Sequence, residues 1–237
     1  MADVAYLMTF RVPPQNVFQT EVALIKLHYA IGEEEYPDGG VEVFAIHRVS
    51  GDPGAYQIYE QYTKTGASRH GQGPLVREAW DSVLARMVEP FERVLLDPLG
   101  LYGLKKDVGC DIIGDECWRY TVRVAAHDAG ALEVIFDEIM DAMEIDEFST
   151  GEVKTYTAHR IAGDVGRYVM YEHFTGLGSS RHATGPTLPG VGGRQLKLLV
   201  TPFERVQLEP LSALGTKHAR FGKSAPKSVK RTPVSTR

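Results

Sequence analysis

The strongest constraint on the fold of this chain is an internal repeat with an offset of 112 residues. The segment YEQYTKTGASRHGQGP, which begins at Tyr59, returns as YEHFTGLGSSRHATGP, which begins at Tyr171. No gap is needed between residues 4 and 99, and about a third of the aligned positions are identical. Two copies are too few for a solenoid, so the repeat predicts a tandem duplication of one domain that packs against itself.

The repeat divides the 237 residues into two units and two flanking segments. We assign unit 1 to residues 1–100, a connector to 101–115, unit 2 to 116–215 and a tail to 216–237. The tail has seven Lys and Arg residues and no acid, so it is expected to be disordered, as a solubilising segment or one that binds an acidic partner. Since the net charge is −5, the remainder carries about −12 (−5 minus 7), which disfavours nucleic acid as the main partner.

The hydrophobic pattern of each unit predicts the order βαββαβ, which is the ferredoxin-like fold. VAYLMTFRV, GVEVFAIHRV, GAYQIYEQYT and PFERVLLDPL have the alternation and residue types of strands. Apolar residues at three- and four-residue spacing predict one helix after Pro13-Pro14 and another over LVREAWDSVLARMV. In unit 2 the second helix becomes TLPGVGGRQLKLLV, which predicts a shorter helix after a flexible loop. That loop is either a lid or the mark of a half that has lost its site.

Several motifs resemble those of the antibiotic biosynthesis monooxygenase family of dimeric α+β barrels. They are YxxYExYT in unit 1 with its counterpart in unit 2, a short stretch ending in RHxxGP, a helix, and a strand ending in DPL or EPL. The match covers nearly all of both units. Members of this family usually dimerise by packing two sheets face to face. The resemblance therefore implies an α+β chain of two tandem ferredoxin-like units whose antiparallel sheets pack as an intrachain barrel.

The same resemblance implies a monooxygenase without a cofactor, which oxidises an aromatic or polyketide-type phenol or quinol with O2. Such an enzyme removes a proton, the electron-rich carbanion reduces dioxygen, and the product is a quinone. Other branches of the superfamily bind or degrade haem, but they tend to have Trp where this chain has His70 and His182. A non-catalytic barrel that binds a small molecule is the third possibility, because a fold alone does not determine an activity.

His70 and His182 are the first catalytic candidates, since histidine titrates near neutral pH and can take a proton from a phenol or an enol. The resemblance places this histidine at the mouth of the pocket between the sheet and the helices. The alternative is a helix-terminal histidine bonded to the backbone. Arg69 and Arg181 are supporting candidates, although neighbours on a helix point about 100° apart and both members of a pair are not expected in one pocket. The interrupted helix predicts that His182 contributes less than His70.

Glu60 and Glu172 lie on an otherwise apolar face of the third strand of each unit. An acid in such a place is costly unless it is paired. Each is therefore expected either to pair with an arginine, such as Arg11 or Arg123, or to act as a pocket acid whose pKa is raised by burial.

The remaining candidates are aromatic side chains. Tyr59 and Tyr171 point to the opposite face of the same strands, where phenols could orient a substrate or pack at an interface. Trp80 is expected to be either a core residue or an aromatic wall for a flat substrate. His47 and His159 lie in the middle of strands and are expected to be packed histidines.

Several classes of site lack their sequence signals. Cys110 and Cys117 have neither CxxC spacing nor nearby histidines, which predicts free thiols in a reducing compartment rather than zinc ligands. The N-terminus does not have the pattern of a signal peptide, and no apolar run approaches the roughly 18 residues of a membrane span. We find no phosphate loop, HExxH or GxSxG motif. These observations predict a cytoplasmic protein with no metal and no membrane partner. The family resemblance implies a small-molecule substrate and a possible homodimer of the duplicated chain.

Overall fold

The computed structural model describes residues 4–88, 90–102, 114–147, 153–182 and 184–215. Cys110, the tail and most of the connector lie outside the described residues. Unit 1 contains β1 (Val4–Arg11), α1 (Val17–Glu34), β2 (Val41–Val49), β3 (Asp52–Tyr62), α2 (Lys64–Arg69), α3 (Pro74–Leu84) and β4 (Glu92–Tyr102). Unit 2 repeats this order with β5 (Glu116–Arg123), α4 (Ala129–Asp146), β6 (Val153–Ile161), β7 (Arg167–Phe174), α5 (Gly176–Arg181), α6 (Leu188–Leu198) and β8 (Glu204–Gly215).

The eight strands form one closed antiparallel barrel in the order β1-β3-β2-β8-β5-β7-β6-β4. Each unit supplies four adjacent strands. The units join at two seams, where β2 pairs with β8 and β4 pairs with β6. The two sheets thus face each other across the barrel, which confirms the predicted α+β fold of two ferredoxin-like units. The short helices α2 and α5 are additions to the predicted βαββαβ order.

Strand alternation divides the core into a barrel interior and two layers under the helices. Along β3, Ile58 and Tyr62 pack with α1 and α3 in the apolar cluster of unit 1. Tyr59 points the other way, into the cluster that fills the barrel. Met170 of β7 belongs to the matching cluster under α4 and α6 in unit 2. A side chain on β3 or β7 therefore reaches either the barrel or the helix layer according to its position.

The helix α6 is as long as α3, with 11 residues in each, so the prediction of a shorter helix in unit 2 is wrong. Its first turn is stabilised by Asp146, whose carboxylate accepts hydrogen bonds from the backbone N–H groups of Thr187 and Leu188 at 2.9 and 3.0 Å. Pro189 lies in the same turn, where a missing N–H breaks no helical hydrogen bond. This cap from another helix offsets the poor intrinsic helix propensity of the segment.

Two hydrogen bonds between a histidine and a tyrosine cross between the units inside the barrel. The Nε2 atom of His47 lies 2.7 Å from the hydroxyl of Tyr171, and the hydroxyl of Tyr59 lies 2.8 Å from Nε2 of His159. The two tyrosine rings stack with centroids 5.3 Å apart. All four side chains are buried. The phenols therefore join the two units within the barrel. Of the two alternatives for Tyr59 and Tyr171, packing at an interface is the one that describes their position.

The buried histidines should make the stability of the fold depend on pH. Burial lowers the pKa of His47 and of His159 from 6.5 to about 3. Between these values the unfolded chain binds more protons than the folded chain, so the free energy of unfolding falls as the pH is lowered. We expect the midpoint of urea unfolding to fall between about pH 7 and about pH 5 less steeply in the double variant His47→Gln/His159→Gln than in the wild type.

The comparison with the wild type is necessary because other groups act in the opposite direction. The pKa values of His70 and His182 are raised overall in the folded chain, so they favour folding as the pH falls. His70 and His182 are present in both the wild type and the double variant. Their effect therefore cancels when the pH dependence of the urea midpoint is compared between the two proteins. Equal slopes in the wild type and the double variant would contradict the prediction.

Candidate functional site

A short helix after the third strand positions one histidine in each unit. The Oγ1 atom of Thr63 caps α2 by accepting a hydrogen bond from the backbone N–H of Gly66 at 3.1 Å. Thr175 caps α5 in the same way at 3.0 Å. His70 and His182 are the residues that end these helices, so each imidazole leaves the helix next to the outer face of the sheet. The repeat of the Thr cap and the Arg-His pair thus encodes a repeated histidine position.

In unit 1 the histidine lies between two carboxyl groups, one of which is firmly paired. Nδ1 of His70 is 2.8 Å from Glu35 Oε2, and its Nε2 is 3.5 Å from Glu60 Oε2. Glu60 is fully buried, forms an ion pair with Arg93 at 2.9 Å, and accepts a hydrogen bond from the hydroxyl of Tyr62 at 2.8 Å. Its charge is therefore balanced within the protein.

In unit 2 the equivalent carboxyl group has lost these partners. Phe174 stands where unit 1 has Tyr62, so the phenolic donor is missing. Arg205, the equivalent of Arg93, stacks 3.4 Å from the ring centroid of Trp118 and forms no ion pair with Glu172. The Oε2 atom of Glu172 is buried and accepts no hydrogen bond from a described residue. An incompletely paired buried carboxyl group is unusual and marks a candidate functional group.

The environment of Glu172 sets its protonation near neutral pH. Burial raises the pKa of Glu172 to about 7; the charge of Glu147 adds to this effect, whereas His182, the nearby hydroxyl of Tyr120 and the charge of Arg205 oppose it. Burial alone would lower the pKa of His182, but the hydrogen bond with Glu147 and the charge of Glu172 raise it overall. A carboxyl group of this kind can exchange protons near pH 7, and the histidine beside it is a second group that can accept a proton.

A cavity of about 420 Å³ opens beside Glu172 and His182, between the sheet of unit 2 and α6. This volume is in the range of small-molecule sites. Its walls are mainly apolar. The other lining residues are Tyr120, Val122, Ile139, Tyr156, Met170, Leu188, Pro189, Gly192, Gly193, Gln195, Leu196 and Phe203.

The cavity lies where unit 1 has a tryptophan. Trp80 is the equivalent of Gly192 at the offset of 112 residues. Its indole packs against the apolar cluster of unit 1 and stacks on Phe91, with ring centroids 6.3 Å apart. No atom outside the local helix lies within 4 Å of the place where Gly192 would carry a Cβ. Two of the glycines that suggested a lapsed site, Gly192 and Gly193, line this cavity, which lies open where unit 1 has an indole.

Of the nine predicted site residues, only Glu172 and His182 line this cavity. Arg69 is exposed and lies 3.4 Å from Asp38, and Arg181 is exposed at the end of α5. Tyr59 and Tyr171 are enclosed in the barrel, on the far side of the sheet. The structure therefore assigns none of these side chains to the cavity wall.

The predicted arginine partners of the strand carboxyl groups are also wrong. Arg11 pairs with Asp52 at 2.8 Å, and Arg123 lies 3.3 Å from Asp164. Both pairs connect the end of a first strand to the turn between the second and third strands. The arginine that pairs with Glu60 comes instead from β4, the neighbour of β1 in the barrel.

Sequence reasoning missed Glu147, Tyr120 and Gly192. A signal for Glu147 was present, because Glu35 is the same residue at the offset of 112. Tyr120 and Gly192 mark differences between the units, and a comparison of the repeats position by position would have singled out the exchange of Trp80 for glycine.

In the described part of the chain, no group of three or more His, Cys, Asp or Glu side chains could hold a metal ion. Cys117 is a buried free thiol. No described helix is both long enough and apolar enough to cross a membrane.

No protein-family profile and no curated protein sequence matches this chain. Its fold matches a "putative monooxygenase" from Lactobacillus acidophilus NCFM with a TM-score of 0.81 and 9% identity, over 93% of this chain and 100% of the other. A "putative monooxygenase" from Fusobacterium nucleatum subsp. nucleatum ATCC 25586 matches with a TM-score of 0.79 and 12% identity, over 94% and 99%. At such identities the likeness shows the fold alone. The chain therefore has the tandem α+β barrel fold of these two proteins, and the resemblance to the monooxygenase family is confirmed at that level.

Proposed function

We propose that unit 2 is the active site of a monooxygenase that oxidises an aromatic phenol with O2 and without a cofactor. The observation that carries this proposal is Glu172, a buried carboxyl group with a pKa raised to about 7 in the wall of an apolar cavity. A base of this strength can remove a proton from a phenol or an enol at neutral pH. The names of the two structural relatives agree with this reaction class.

The proposed reaction uses the substrate as its only reductant. Removal of a proton from the phenol, or from the CH2 group of its keto form, leaves an electron-rich anion. The anion gives one electron to O2, and the resulting substrate radical and superoxide join in a new C–O bond. Cleavage of the O–O bond with loss of water then leaves a carbonyl group on that carbon. Overall, one CH2 group and one O2 molecule give one C=O group and one water molecule.

The cavity favours the first step of this reaction. When Glu172 takes a proton it becomes neutral, and its burial stabilises the neutral form. The negative charge moves to the substrate, where it is spread over an aromatic system. Tyr120, Tyr156 and Gln195 supply the polar groups that can orient the oxygen atoms of a flat ligand within the apolar walls. Removal of water from the site prevents competing protonation of the anion.

Oxygen uptake by the full chain tests the proposal. Anthrone-like and naphthol substrates are supplied without flavin, haem or metal, and the product is analysed after reaction with ¹⁸O2. We expect quinone formation in which one labelled oxygen atom enters the product and the other enters water.

Other outcomes would contradict this assignment. Oxygen uptake only after a cofactor is added would exclude the cofactor-free reaction. A Soret band in the purified protein would favour haem binding or degradation. Saturable binding of these compounds without any oxygen uptake would favour a non-catalytic binding protein.

A further inference from the structure

In unit 2, the imidazole of His182 contacts the carboxylate of Glu147, which does not line the cavity. We infer that Glu147 is a positioning residue and that His182 is a proton relay, which returns Glu172 to its basic form by carrying the abstracted proton to solvent. This inference rests on the proposed function of the same cavity and adds the path by which the proton leaves.

The geometry assigns different tasks to the two nitrogen atoms of the imidazole. Nδ1 of His182 lies 3.0 Å from Glu147 Oε2, and a carboxylate can only accept a hydrogen bond, so Nδ1 carries the proton. Nε2 then presents its lone pair, and the nearest carboxyl oxygen on that side is Glu172 Oε1 at 3.9 Å. A small side-chain rotation would bring these two atoms to hydrogen-bond length.

Glu147 is itself fixed in place. Its side chain is only 8% exposed, and its backbone N–H donates to the carbonyl oxygen of Met143 at 2.8 Å in the last turn of α4. The hydrogen-bonded carboxylate holds the imidazole in one tautomer and stabilises the imidazolium that forms when Nε2 takes a proton.

His182 is also the group that connects the buried carboxyl group with water. The side chain of Glu172 is 7% exposed, whereas that of His182 is 26% exposed. After abstraction, the O–H bond of protonated Glu172 breaks as an N–H bond forms at Nε2. The imidazolium then releases a proton to water, which leaves the carboxylate of Glu172 and the neutral imidazole of His182. No electrons are exchanged in this sequence.

Charged and titratable groups from five elements face this relay. They are Glu147 from the end of α4, Glu172 from β7, Tyr120 from β5, Tyr156 from β6 and Arg205 from β8. Arg205 opposes protonation of the imidazole, whereas the two carboxyl groups favour it. The titration of His182 therefore reports on this cluster and not on a single neighbour.

Unit 1 supplies a matched control for Glu147. Glu35 Oε2 makes the same contact with Nδ1 of His70 at 2.8 Å. In unit 1 the adjacent Glu60 forms an ion pair with Arg93, so it differs from Glu172, which has no such partner among the described residues. Removal of the Glu35 charge should affect His70 without affecting turnover in the other unit.

The experiment compares Glu147→Gln and Glu35→Gln in the full chain. Imidazole C–H signals are followed by NMR during a pH titration, with His182 assigned by the loss of its signal in His182→Gln. We expect Glu147→Gln to lower the pKa of His182 and to reduce kcat about ten- to hundredfold, with KM changed less than about twofold. Glu35→Gln should leave kcat unchanged. Added imidazole should restore part of the kcat of His182→Gln, because the relay position is reached by solvent.

The possible failures can be told apart. If the wild type shows no oxygen uptake, the proposed function fails and the relay fails with it. If the wild type reacts but Glu147→Gln keeps its kcat and its His182 titration, the relay alone is overturned. A loss of melting temperature with parallel changes in kcat and KM would show a structural role for Glu147. In that case Glu147→Asp, which keeps the charge, should also fail to restore kcat.

Discussion

Glu172→Gln is expected to lower turnover about 10²–10⁴-fold, because glutamine keeps the shape of the side chain but cannot take a proton. In the wild type, kcat/KM should rise with pH through an apparent pKa near 7, since only the carboxylate form is a base. Activity should therefore be lost as the pH falls below about 7. The residual activity of Glu172→Gln should not show this loss at low pH. The measurement is the initial rate of oxygen uptake from about pH 5 to about pH 9.

Glu60→Gln is the matched change in unit 1, and it should reduce turnover far less than Glu172→Gln. Glu60 forms an ion pair with Arg93 and accepts a hydrogen bond from the hydroxyl of Tyr62, so taking a proton from a substrate would disrupt these contacts. Equal losses in the two variants would mean that both units react or that both changes act through the fold. If the apparent pKa near 7 persists in Glu172→Gln, the pH dependence of kcat/KM comes from another group. His182 would be the first candidate, because its titration is coupled to that of Glu172.

Gly192→Trp is expected to abolish ligand binding and turnover while the chain remains folded. The new indole would occupy the cavity, as Trp80 occupies the corresponding place in unit 1. The substitution should not destabilise α6, because no neighbour crowds the position and glycine costs about 0.8–1 kcal/mol relative to alanine inside a helix. Binding of an anthrone-like ligand by calorimetry and the melting temperature are measured on the same sample.

Gly190→Trp is the control for this experiment. Gly190 lies two residues away on α6, is exposed and does not line the cavity. It also has no close neighbour at its Cβ position, so a tryptophan there should leave binding intact. If Gly190→Trp abolishes binding as completely as Gly192→Trp, the loss comes from a general effect of the tryptophan on α6. If Gly192→Trp still binds the ligand with wild-type affinity, the cavity is not the binding site.

The pattern of the chain determined the fold at the level of units and elements. Both strands and helices follow local periodicities, so alternation along β3 was sufficient to place Glu60 and Tyr59 on opposite faces of the sheet. The gapless repeat was sufficient to predict two similar units, because a repeated pattern of buried positions requires a repeated core. The repeated Arg-His pair then predicted a histidine in the same place in each unit.

The chemistry of that place was decided only by the tertiary structure. The pKa of Glu172 depends on burial and on charges that come from α4, α5 and β8, which are separated along the chain. Local periodicity does not predict contacts between distant parts of the chain. The equivalent arginines show this, because Arg93 pairs with Glu60 whereas Arg205 stacks on Trp118. The cavity likewise exists because α6 begins at a cap supplied by Asp146 and then presents Gly192 to the sheet. The sequence could show that glycine replaces tryptophan there, but only packing in three dimensions decides that the missing indole becomes a cavity next to a carboxyl group.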